Sequence, residues 1–244
     1  DYREWMESCG VETRFLHSIA GKNTASFFVK TDLENNQIAR FYTGAMADAS
    51  RFTLTGIPRE EVDYVVISPN DPLAMRKLSD ECLQLGIPYL FDPSQQIARN
   101  PSEDLKSGVE NAHALFCNEY EFNLLEKHTG LSPEQIEKHV DLLVVTKGIN
   151  GALVRSDGRE YHIPVAPVAQ IADPTGVGDA FRGGFLRGYR LGLDLQTCGQ
   201  MGSLSAAYCL EQNGPSNHKY TIDEYIRRYR ESFDDDGALD ILQQ

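Results

Sequence analysis

Asp173-Pro-Thr-Gly-Val-Gly-Asp-Ala-Phe-Arg-Gly-Gly-Phe-Leu186 places a glycine turn, an acidic residue and the start of a helix in one short stretch. Gly176 and Gly178 allow a tight bend that exposes backbone N–H groups. The helix that follows adds unpaired N–H donors and the positive end of its dipole. A corner of this kind binds anions. A carboxylate there, Asp179, repels a resting phosphate but accepts a proton from an attacking hydroxyl. Anion binding combined with a proton acceptor points to phosphoryl transfer.

Working outward, the chain upstream of this corner alternates strands and helices. Val62–Ile67, Ile87–Phe91, Ala114–Cys117 and Leu142–Thr146 are short apolar runs. Helical segments are expected over 71–85, 102–111, 119–128 and 133–139. Continuous apolar strands alternating with helices define a parallel sheet covered on both faces. Asp157-Gly158 is a two-residue hairpin turn between 152–155 and 159–163. Helices over 178–191, 194–211 and 221–232 fill the last third, and Asp234-Asp-Asp236 is expected to be a solvated end.

The start of the chain has a different character. Residues 1–9 read as a short amphipathic helix ending near Gly10. Three strand-like runs follow at Thr13–Ile19, Thr24–Thr31 and Gln37–Tyr42, with Asp32–Asn36 as the turn between the last two. The expected architecture is therefore an α/β fold. A doubly wound, mostly parallel sheet (residues 1–10 and 45–244) carries a small antiparallel β-sheet at 11–44.

The 244 residues suit one such domain, with 41% hydrophobic and 24% charged residues. A formal net charge of −13 argues against nucleic acid or an anionic membrane as the main partner. Cys9, Cys82, Cys117, Cys198 and Cys209 are scattered and show no CxxC pair, which predicts reduced thiols in a cytoplasmic protein. No run approaches the ~20 apolar residues of a membrane helix. The six histidines are scattered and suggest neither a metal site nor catalysis.

Ligands of open parallel sheets bind beyond the carboxyl ends of the strands. Four polar clusters fall there: Asp92-Pro-Ser-Gln-Gln96, Asn118-Glu-Tyr-Glu121, Thr146-Lys-Gly148 with Gly151, and Asp173–Asp179. The sequence lacks GxxxxGK[ST], HRD and DFG, which excludes P-loop and protein-kinase sites. Gly176-Val-Gly178 does not open a dinucleotide fingerprint, because Phe181 stands where a third glycine belongs.

Three of these clusters, in this order, resemble the ribokinase/PfkB family of small-molecule kinases. Asp173–Asp179 looks like the family's DTxGAGD signature with Val177 at the usual Ala. Asn118–Glu121 resembles its NxxE motif, and Thr146–Gly151 its TxGxxG segment. Asn36–Met46, Asp92–Arg99 and Asp173–Arg182 look closest to its bacterial adenosine kinases.

The resemblance implies an ATP-dependent kinase acting on the 5′ hydroxyl of adenosine or a related nucleoside. A sugar kinase and a non-catalytic nucleotide sensor are the alternatives. Asp179 would be the catalytic base, with Gly176, Val177 and Gly178 as the anion hole. Thr146, Gly148 and Gly151 would line the ATP side. Asn118 and Glu121 would hold Mg²⁺ through water, and a monovalent cation is a further candidate cofactor. The small sheet would be a lid, with a purine against Phe27 and Phe41 and with Gln95, Gln96 and Arg99 near the ligand. Its open aromatic face predicts a homodimer through the lid.

Plainer readings stand beside these. Asn118 and Glu121 also fit a helix capping box. Phe27 and Phe41 also fit hairpin core, and the glutamines loop polarity. Thr146-Lys-Gly148 also fits a simple strand exit, and Arg182 faces either solvent or a phosphate. Members of the family begin with a further strand and helix that carry an Asp for the acceptor's sugar hydroxyls, so a longer native protein is expected.

Overall fold

The computed structural model describes residues 2–31 and 37–243, with the backbone alone for 29–31 and 37–39. The expected turn at Asp32–Asn36 lies outside the described residues. The elements are α1 (Tyr2–Ser8), β1 (Ser26–Thr31), β2 (Gln37–Tyr42), β3 (Val65–Ile67), α2 (Pro72–Leu85), β4 (Tyr89–Phe91), α3 (Ser102–Glu110), β5 (Ala114–Asn118), α4 (Glu119–Thr129), α5 (Pro133–His139), β6 (Leu142–Thr146), β7 (Ala152–Ser156), β8 (Arg159–Ile163), α6 (Val177–Arg190), α7 (Leu195–Leu210) and α8 (Ile222–Ser232).

The main sheet runs β3-β4-β5-β6-β7-β8. β3 to β6 are parallel. β7 and β8 turn back antiparallel through the Asp157-Gly158 hairpin, in which Asp157 adopts a positive φ of 50°. Side-chain alternation along the buried strands divides the core in two. Tyr89, Phe91, Leu115, Cys117, Leu143 and Val145 face a layer containing Met75, Leu105, Leu125 and Ile136 of α2 to α5. Leu90, Ala114, Phe116, Leu142 and Val144 face Phe181 and Phe185 of α6 and Cys198 of α7. Each large aliphatic or phenylalanine side chain buried to this degree contributes about 1.5–3 kcal/mol of transfer free energy. The two faces together anchor the strand ends that carry the polar clusters.

α6 and α7 approach closely because small residues meet at their crossing. A Cβ at Gly184 would strike Ser205 and the Met201 carbonyl, and one at Gly188 would strike Met201 and Cys198. The last third therefore forms a rigid platform under the glycine corner.

Two expectations are corrected. Thr13–Ile19 is not a strand. The Arg3 guanidinium donates to the Thr13 carbonyl at 2.9 Å and to the Leu16 carbonyl, which occupies acceptors that a neighbouring strand would need. The small sheet is accordingly a two-stranded hairpin among the described residues, pairing Phe27 with Phe41. Asp234–Asp236 is only in part the solvated end expected: Asp234 and Asp236 are exposed, but Asp235 is not. The Asp235 side chain is only 2% exposed and receives Arg230 Nε at 2.7 Å and the Gly237 N–H at 2.8 Å. It starts a 3₁₀ turn over Ala238–Gln243 that buries Leu239 completely.

The hairpin is tied to the main body at its base, where Ala45 N donates to the Asn23 carbonyl at 2.9 Å. All five cysteines are free thiols; Cys9 is exposed and the other four are buried. Among the described residues no helix is long and apolar enough to cross a membrane.

Candidate active site

β5 and β6 end side by side, with Asn118 and Thr146 paired at the last register position, and β4 ends next to Leu115 of β5. Beyond them lies a cavity of about 220 Å³. Asp92 and Ser94 enter it after β4, Cys117, Asn118 and Glu121 from the β5–α4 junction, and Thr146 from the end of β6. Pro174, Gly176, Val177, Gly178, Asp179 and Arg182 close the opposite wall. The volume is below the ~300–1,000 Å³ of a drug-sized site and suits a phosphoryl group with a few waters.

The corner at Gly176 is built for exposed N–H groups. Gly176 has φ 81° and ψ 2°, and α6 begins with no side-chain cap. Side chains of Asp71, Asn118, Ser132, Asp194 and Thr221 cap α2, α4, α5, α7 and α8. Only α3, entered through Pro101, also lacks a side-chain cap among the α-helices whose caps are described. The loop before α6 is held by Asp173, which accepts from Thr175 N at 2.9 Å and Gly214 N at 3.0 Å. The Thr175 side chain first, and then these backbone bonds, keep the Asp173 carboxyl below the usual carboxylate range.

Asp179 stands in the first turn of α6 with its carboxylate open to the cavity. Partial desolvation of the carboxyl, then the charge of Glu121, pushes it up from the ordinary value, which its 74% exposed side chain and the bond from Arg182 oppose. Arg182, one turn along, donates to Asp179 Oδ1 at 2.6 Å and pairs with Asp92. Desolvation also lowers the affinity of Arg182 for its proton, which its two carboxylate partners oppose.

Asn118 and Glu121 form a complete capping box. Asn118 Oδ1 accepts from Glu121 N and Glu121 Oε2 accepts from Asn118 N, both at 2.8 Å. Glu121 Oε1 also accepts the Ser94 hydroxyl at 2.8 Å. Both carboxylate oxygens are thus fixed on the cavity wall. The plain capping reading holds. Among the described residues no three His, Cys, Asp or Glu side chains cluster to hold a metal by themselves. The hard oxygens around the cavity suit a Mg²⁺ that keeps water and substrate oxygens in its shell.

Of the ATP-side residues, only Thr146 lines the cavity. Gly148 and Gly151 form the β6–β7 turn, and a Cβ at Gly151 would collide with the Ile163 carbonyl. On the acceptor side, Phe41 and Arg99 come together, with the guanidinium 5.8 Å from the ring centre. Phe27 is 59% exposed on the paired strand, Gln95 is exposed, and Gln96 is buried with an unpaired Oε1. None of these five lines the cavity. Sequence reasoning assigned no role to Asp92 or Ser94, although their position just past a parallel strand marks them out.

Comparison with known proteins places this arrangement. Residues 1–221 match the pfkB family carbohydrate kinase model. A nucleoside kinase of Methanocaldococcus jannaschii is 28% identical over 227 residues, covering 93% of this chain and 74% of that protein. A nucleoside kinase of Methanothermobacter thermautotrophicus is 30% identical over 233 residues, covering 94% and 74%. The nucleoside kinase of Burkholderia thailandensis in complex with ADP-inosine superposes with a TM-score of 0.88 at 31% identity, over 95% of this chain and 72% of that one. The chain belongs to the pfkB family of carbohydrate kinases. It is a phosphotransferase that acts on a hydroxyl acceptor.

Proposed function

We propose that the protein is an ATP-dependent nucleoside kinase that phosphorylates the 5′ hydroxyl of a purine nucleoside, adenosine or inosine. The observation that carries the reading is one cavity holding three things: the uncapped glycine corner of α6, the Asp179 carboxylate, and the Asn118–Glu121 oxygens. The nucleoside acceptor is supported by the similarity to nucleoside kinases and to the structure with ADP-inosine.

In this reading Asp179 orients the acceptor hydroxyl and takes its proton late in a loose phosphoryl transfer. The N–H groups at Gly176, Val177 and Gly178 stabilise charge on the transferring group. Asn118 and Glu121 would hold Mg²⁺ through water, and the metal when bound neutralises phosphate charge. Thr146, with the Gly148 and Gly151 turn, borders the nucleotide. Phe41, Phe27, Arg99 and the Gln95–Gln96 pair receive the acceptor's base, which extends outside the small cavity. Exposed Phe28 and Tyr42 on the hairpin favour a homodimer through the lid.

ADP release from MgATP, with adenosine, inosine, cytidine, ribose and fructose offered separately, tests this function. Release with the purine nucleosides supports it. Release only with a free sugar removes the base-binding role of Phe41 and Arg99. A monomer in sedimentation at micromolar concentration counts against the lid dimer.

A further inference from the structure

Proton transfer to Asp179 makes no direct use of Arg182, which lines the same cavity. Arg182 is only 14% exposed and sits between two carboxylates from different parts of the chain. Asp179 lies three residues before it on the same face of α6. Asp92 follows β4, and its side chain is only 17% exposed. A guanidinium withdrawn from water this far requires a compensating charge. Asp92 supplies it, from the rigid end of a strand.

We propose that Arg182 is a positioning residue for the phosphoryl transfer, clamped by Asp92 so that it fixes the carboxylate of Asp179 toward the acceptor hydroxyl. This rests on the reading of Asp179 as the base.

The geometry gives each group a separate task. Arg182 engages Oδ1 of Asp179, and Oδ2 has no hydrogen-bond partner among the described residues. The free oxygen is the one left to receive a proton. Asp179 is 74% exposed, so packing alone does not hold its rotamer; the bond from Arg182 does. Because Arg182 has its own partner in Asp92, it need not move when Asp179 becomes neutral. A guanidinium paired only with Asp179 would lose its counter-charge at that moment. Arg182 is also suited by shape, since its planar fork reaches two carboxylates at once where a lysine ammonium reaches them as a point charge.

Steady-state kinetics of the full chain test the proposal, with Arg182→Gln, Arg182→Lys, Asp92→Asn, Asp179→Asn and the Asp92→Asn/Arg182→Gln pair. The pair removes both charges and keeps the test open if Arg182→Gln alone leaves Asp92 unpaired and misfolds. The expected result is a kcat about 10²-fold lower for Arg182→Gln with KM for MgATP nearly unchanged, the scale of a misplaced catalytic group. Arg182→Lys recovers part of that loss. Asp92→Asn lowers kcat by a smaller factor, and the pair loses less than the product of the single effects, as groups in one network do.

Wild-type kcat in Arg182→Gln or in the pair, with Asp179→Asn inactive, overturns the positioning role and leaves the base intact. A raised KM for MgATP with kcat retained also overturns it, because Arg182 would then be a phosphate contact. Full activity in Asp179→Asn removes the base itself, and the role of Arg182 with it.

Discussion

The hydroxyl of Ser94 donates to Oε1 of Glu121 at 2.8 Å, from a residue whose backbone sits at φ 40°. A non-glycine residue in the left-handed region is uncommon and persists where surrounding structure holds it. Here it carries a hydroxyl from the end of β4 to the carboxylate on α4. Ser94→Gly relaxes the backbone and removes the whole side chain, the hydroxyl included. The expected outcome is about a tenfold increase in the Mg²⁺ concentration for half-maximal rate, typical of losing an outer partner of a metal-holding carboxylate. An unchanged Mg²⁺ titration would reduce Ser94 to a structural link.

Gly176 has φ 81°, and a Cβ there would be driven into Pro215. Gly176→Ala meets a left-handed penalty of about 1–2 kcal/mol before the clash is counted. Relief requires the corner to move, and the N–H groups move with it. A lower melting temperature and a kcat reduced about 10²-fold are expected, the scale of losing one oxyanion donor. A stable variant with normal turnover would separate the corner from the chemistry.

Arg99 over Phe41 links the loop after β4 to the hairpin. A base stacked on Phe41 contributes about 1–3 kcal/mol on the scale of base–aromatic stacking. Phe41→Ala should therefore raise KM for a nucleoside about tenfold or more and leave KM for MgATP unchanged. An equal effect on both substrates would indicate a collapsed hairpin instead.

Glu211 and Arg228 lock α7 to α8 under the loop that leads to the glycine corner. Arg228 Nη2 donates to Glu211 Oε1 at 2.7 Å and to the Pro167 carbonyl at 2.9 Å, and Glu211 Oε1 accepts Ala169 N at 2.9 Å. The hydrogen bond from Arg228 holds the Glu211 carboxyl below its ordinary value of 4.5. A depressed carboxylate pKa contributes stability that is present above the unfolded value and is lost as pH falls through the folded one. Glu211→Gln should cost about 1.5–3 kcal/mol at neutral pH, the range for hydrogen bonds to charged groups. The difference from wild type should shrink below about pH 4. Urea unfolding at pH 7 and pH 3.5 checks both the sign and the window, and a gap that widens on acidification would refute the assignment.

The centre of the sheet was legible because β4 to β6 are buried on both faces. Leu142–Val145 is a continuous apolar run, and all four residues are buried. The glycine corner and the Asn118–Glu121 box were legible because each is local, set by residues within a few positions. Long-range partnerships were not. Asp92 and Arg182 are far apart in sequence and meet only because β4 ends beside the first turn of α6. Thr13–Ile19 alternates like a strand, but Arg3 takes carbonyls a partner strand would need. The acidic run at Asp234 reads as solvated until Arg230 and two backbone N–H groups converge on Asp235.

The most direct test is the product of a reaction with MgATP and inosine or adenosine, identified by mass and by the position of the new phosphate, for the wild type and for Asp179→Asn. The account predicts a nucleoside 5′-monophosphate from the wild type. It predicts about 10²–10⁴-fold slower formation by a folded, ATP-binding variant, the usual scale for a general base. Undiminished product from Asp179→Asn, or a wild type that phosphorylates only free sugars, would contradict it.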